Sequence, residues 1–170
     1  MVQYFYNNIV YQHSANGLIH AFKSYVNGVE MRITKTVLAR VLETPNMRKR
    51  IDSYNAWNET HFSRARQIKT VRGLAEEEDV EDRSRPTIRQ LAVQARFLHH
   101  MLSQNILPKG GHREAVTYFD MELLTKLLSH EKVNLPYLIF KHMFVVADNS
   151  NKNIPYGIIL TLLFWCGFKW

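Results

Sequence analysis

Apolar residues change their spacing several times along the 170 residues, and each change marks a boundary between predicted elements. In residues 2 to 12, Tyr4, Phe5, Tyr6, Ile9 and Val10 are spaced as on a short helix packed against the domain. LIHAFKSYV is rich in strand-forming residues and runs into Asn27-Gly28, the dipeptide best suited to a two-residue type I′ turn because both positions need positive φ. Beyond it Val29, Met31 and Ile33 alternate with Glu30 and Arg32, so the two segments predict a β-hairpin. At Thr34 the period lengthens. Thr34 or Thr36 can cap a helix in which Val37, Leu38, Val41 and Leu42 recur at helical spacing, and Pro45 prevents its continuation.

Past Pro45, Met47, Ile51, Tyr54, Trp57 and Phe62 suggest short helices with apolar sides toward the core. The run AEEEDVEDRSRP follows, with six acidic residues among the seven from Glu76 to Asp82, a composition that predicts a solvated loop. From Thr87 to Ile106 the stripe Ile88, Leu91, Ala92, Ala95, Leu98 and Leu102 predicts one helix, which Pro108, Gly110 and Gly111 end. A second starts near Thr117, with Asp120 placed for a capping box and Leu123, Leu124, Leu127 and Leu128 inside. A third runs from about Pro136 to Val146, and Asn153 with Pro155 opens a fourth. The expected fold is α+β and mainly α: a small N-terminal β-hairpin packed on a C-terminal helical array. The expected organisation is a single domain over 1–170, with hairpin and short helices in 1–73, an acidic linker or loop in 74–86 and the array in 87–170. There is no internal repeat.

The most apolar stretch, Ile154 to Phe168, is shorter than the ~20 residues that cross a bilayer and contains a proline and two glycines, so it predicts a buried helix and no membrane span. Its apolarity on all sides suits either the centre of the domain or a face that awaits a partner. The N-terminal residues lack the basic and apolar regions of a secretory signal, and the sequon Asn58-Glu59-Thr60 is then accidental. A single cysteine, Cys166, excludes an internal disulfide framework and suits a reducing compartment; the expected location is intracellular, in cytoplasm or nucleus.

Candidate chemistry is sparse. His99, His100, His112, His130 and His142 fall in the helical half without HExxH or paired CxxC spacing, so they are expected at the surface or its edges rather than on a metal. Cys166 lies in the most apolar stretch, where a core thiol is expected. Ser24, Ser103 and Ser129 lack a GxSxG elbow, and Pro108-Lys109-Gly110-Gly111-His112 lacks the spacing of a phosphate loop. No catalytic residue, metal site or cofactor is expected. The formal charge of +7 permits attraction to nucleic acid. Arg48, Lys49, Arg50, Arg64, Arg66, Lys69 and Arg72, interleaved with Trp57 and other aromatics, have the mixture with which single-stranded nucleic acids are bound. The same aromatics fit a core-facing stripe, and the adjacent acidic run could neutralise the patch in cis.

FYNN at 5–8, YVNGVEMRIT with TVLARVLETP at 25–45, the stretch 91–143 and IPYGIILTLLF at 154–164 together resemble a plant retrotransposon-associated domain, the plant transposon protein domain. The likeness extends more distantly to the first open reading frame of Athila-type Gypsy elements. Phe5, Tyr6 and Asn8 match the family's first element, Val26, Gly28 and Val29 its strand pair, Leu42 and Pro45 its helix end, and Leu107, Pro108 and His112 its later loop. These are structural signatures, and the resemblance supplies no catalytic residue. Glu43-Thr44-Pro45 stands where the family often has glycine-leucine-proline, and the acidic run is unusual for it. The resemblance implies a non-catalytic interaction or assembly module, with a protein partner or self-association; nucleic-acid binding through 48–72 is the alternative.

Overall fold

The computed structural model describes residues 2–45, 63–80, 85–109, 116–147 and 156–167. Contacts group the chain into two compact units: residues 1–49 with 134–170, and residues 50–133.

The first unit is built on a three-stranded antiparallel sheet in the order β1-β2-β3: β1 (Val10–His13), β2 (Ile19–Val26) and β3 (Val29–Thr34). Asn27 (φ 51) and Gly28 (φ 78) form the predicted turn, which sets Val26 against Val29 and Phe22 against Ile33. Burial deepens away from the turn: Val29 is exposed, Met31 half-buried and Ile33 buried. The helix expected over 2–12 is shorter. It spans α1 (Val2–Asn7), after which Val10–His13 extends and pairs with the free edge of β2, Tyr11 facing Phe22. Val10 and Tyr11 are strand formers, and an available edge decides a pattern that fits either element.

Thr34 caps α2 (Lys35–Val41) by accepting from the Val37 N–H at 3.2 Å. The helix closes in a Schellman motif, with Glu43 N–H donating to Arg40 and Thr44 N–H to Ala39. Glu43 (φ 50) holds the left-handed position where the resembled family often has glycine.

Among the described residues this unit also holds α6 (Leu135–Ala147), begun by Asn134 accepting from the Tyr137 N–H, and α7 (Gly157–Gly167). Asn153 and Pro155 lie outside the described residues. The sheet docks on α6 through Phe22 and Phe140, whose ring centroids are 4.4 Å apart. Ser24, fully buried, donates to the Phe5 carbonyl and holds α1, while Phe5 meets Phe164 of α7 edge to face.

The second unit holds α3 (Arg64–Arg72), α4 (Val93–Met101) and α5 (Tyr118–Leu128). Ser63 caps α3, and Gly73 (φ 68) ends it. Glu76 to Asp79, the start of the acidic run, are exposed, and the Glu76 carbonyl accepts from Lys69 Nζ. The single helix expected over 87–106 is divided in three. A 3-10 turn (Ile88–Gln90) comes first, Leu91 is extended and buried, and α4 passes into a π-helical segment (Leu102–Ile106). The break is a tertiary effect: Ala92 N–H donates to the Val71 carbonyl at the end of α3, a bond unavailable from inside a continuous helix. Thr117 and Asp120 form the expected capping box on α5.

Candidate functional site

Of the arginines and lysines singled out from the sequence, Arg48, Lys49 and Arg50 lie outside the described residues, as does Trp57. The structure places Arg64, Arg66, Lys69 and Arg72 on α3, which buries Gln67, Ile68 and Val71. Arg64 and Arg66 are exposed, and Lys69 and Arg72 are half-buried. The Arg64 guanidinium lies 4.2 Å from the centroid of the Tyr118 ring, and that of Arg85 lies 5.3 Å from the same ring. Two cations thus share one aromatic ring at the start of α5, a cluster with the components for phosphate contact and base stacking. Arg85 and Tyr118 were missed in the sequence, because neither lies in the basic segment. A signal was there in part: the acidic run ends in Arg83, Ser84, Arg85 and Pro86.

The interior of the second unit holds two carboxylates on α5, Asp120 and Glu122, each 3% exposed. Asp120 Oδ2 accepts from the Thr117 N–H at 2.7 Å and pairs with Lys109, and His99 Nε2 lies 3.7 Å away. Burial works against ionisation of Asp120. The interactions with His99, the Lys109 charge and the Thr117 N–H outweigh it and hold the carboxyl at about 2. Glu122 accepts from Gln67 Nε2 of α3 and pairs with Lys126 at 3.4 Å, which also meets Glu131 at 3.5 Å. The Gln67–Glu122 bond ties α3 to α5, and both buried carboxylates have specific partners.

Histidines expected at the surface divide into two groups. His100 and His130 are exposed, whereas His99 and His142 are buried, and His112 lies outside the described residues. His142 Nδ1 lies 2.6 Å from the hydroxyl of Tyr156, a buried residue at φ 67 immediately before α7. Among the described residues no three His, Cys, Asp or Glu side chains are grouped to hold a metal ion. Ser103 donates to the His100 carbonyl, a backbone partner that provides no activation for a nucleophile.

The last helix shows where the most apolar stretch goes. α7 buries Leu160, Leu163 and Phe164, while Ile158 (79%), Leu162 (45%) and Trp165 (78%) are exposed at successive spacings of four and three on the other side. No helix among the described residues is long and apolar enough to cross a membrane.

The architecture is that of a mainly helical α+β domain with a small antiparallel sheet. Residues 1–166 match the family described as "Putative plant retrotransposon-related domain", and the chain belongs to that family. No curated protein and no solved structure matches it.

Proposed function

We propose that this domain is a non-catalytic interaction and assembly module of a plant retroelement protein or of a host gene captured from one, working inside the cell in cytoplasm or nucleus. One observation carries the reading: α7 turns Ile158, Leu162 and Trp165 to solvent on one face. The partner that suits this face is a second copy of it. Residues 157 to 167 carry no charged side chain, so two such helices meet without like charges placed directly at the contact. Gly157 and Thr161, one turn apart, are small and let the helices approach closely. Tryptophan is the side chain that most often anchors such contacts. Three side chains from each copy make a small interface, below about 1,200 Å² in total, which implies weak and reversible association. Sedimentation from about 1 μM to about 1 mM tests this across the matching range of affinities. The wild type is expected to self-associate within that range and Trp165→Glu to stay monomeric. A wild type that is monomeric throughout defeats the reading.

The second reading, nucleic-acid binding, is favoured by the Arg64, Arg85 and Tyr118 cluster together with exposed Arg66. Titration of a single-stranded RNA oligonucleotide against wild type and Arg64→Ala tests it, because these side chains would contact the phosphates directly.

A further inference from the structure

Beside α4 lies a cleft of about 530 Å³, within the range of small-molecule sites. Ile88, Val93 and Phe97 give it apolar walls, and Val93 and Phe97 are 80% and 65% exposed. Arg96 stands among them. Its Nη2 donates to the Arg89 and Leu91 carbonyls, both at 3.1 Å, which fixes the guanidinium in place, and no carboxylate among the described residues pairs with it. His99, 1% exposed, also lines the cleft, with its buried Nε2 3.7 Å from Asp120 Oδ2. At the same end of α4 the helix widens into the π-helical segment, a distortion that recurs at functional sites.

We propose that this cleft binds a flat aromatic anion, such as an aromatic carboxylate or sulfonate. The ring system would bury the exposed faces of Phe97 and Val93, and the anionic group would take the uncompensated charge of Arg96. With Nη2 donating to the two carbonyls, the Nε–H and Nη1 hydrogens are left to donate to an oxyanion and the guanidinium plane can stack on an aromatic ring, so one residue accounts for both halves of the ligand. Asp120 lies behind His99, and Lys109 already pairs with it. This site does not depend on the function proposed above.

Titration calorimetry of the full chain with 2-naphthalenesulfonate tests the assignment. A dissociation constant on the order of 0.1 mM is expected for a ligand of this size. Phe97→Ala and Arg96→Gln should each weaken binding about tenfold, and the uncharged analogue 2-naphthalenemethanol should bind about tenfold less tightly than the sulfonate. Lys132→Ala, which removes an exposed positive charge elsewhere, should leave the affinity unchanged. Phe97→Ala alters an exposed side chain and so keeps the test valid if the Arg96 variant disturbs its turn. No binding at about 5 mM, equal affinity for the uncharged analogue, an unaltered Phe97→Ala, or loss in Lys132→Ala would each overturn the assignment.

Discussion

Glu43 occupies a backbone conformation that glycine takes without cost, and it does so inside a complete Schellman motif. An L side chain in the left-handed region costs roughly 1–2 kcal/mol, so Glu43→Gly should raise the stability by about 1 kcal/mol, read as a higher urea midpoint at unchanged slope. His130 (φ 55) ends α5 in the same way, and His130→Gly should act in the same direction. Asp120 supports a prediction in pH. Its carboxyl ionises at about 2 in the folded protein against 3.8 ordinarily, so its contribution is complete above about pH 4 and fades as the pH falls toward 2. That difference is worth about 2 kcal/mol. Asp120→Asn should therefore destabilise the protein by about that much at pH 7, and the gap from wild type should narrow in urea titrations at progressively lower pH. The capping box of Asp120 was legible in the sequence, because it depends on a spacing of three. Its ion pair with Lys109 was not, since a loop whose path no local pattern dictates brings that lysine in.

Elements with both ends marked by chemistry were read correctly. Asn27-Gly28 is the turn, Thr34 is the cap, and α2 stops before Pro45. Gly28→Val should cost about 1–2 kcal/mol by urea denaturation, because the turn needs positive φ there. Where an element depends on a remote partner, periodicity misled. β1 exists because β2 offers an edge, and the division at Leu91 exists because the Val71 carbonyl draws in the Ala92 N–H. The junction of sheet and α6 is equally non-local. Phe22→Ala and Phe140→Ala should each cost about 3–5 kcal/mol, and because the rings touch, the double variant should lose less than the sum of the two.

At the scale of the whole molecule the two functional readings respond oppositely to salt. RNA held by Arg64, Arg66 and Arg85 should lose affinity with a log-log slope of about −2, and Arg85→Ala should flatten it by about 0.7. Fluorescence anisotropy across a salt series measures this, and a flat line removes the nucleic-acid reading. Self-association through α7 should hold or strengthen with sulfate, because burial of apolar surface is favoured by excluded salts. The sequence told that α7 is apolar on every side, yet which residues stay exposed followed only from the packing of Leu160, Leu163 and Phe164. The first unit joins residues 1–49 to residues from 134 onward. A ribosome adding about 5–20 residues per second needs several seconds to make the roughly 80 residues between them. Through that interval Phe22 has no Phe140 and Phe5 no Phe164, so the newborn sheet has an unfilled core. The protein is thus most vulnerable to aggregation while it is being made, and slower translation of the middle segment should lower its soluble yield in the cell without altering the finished fold.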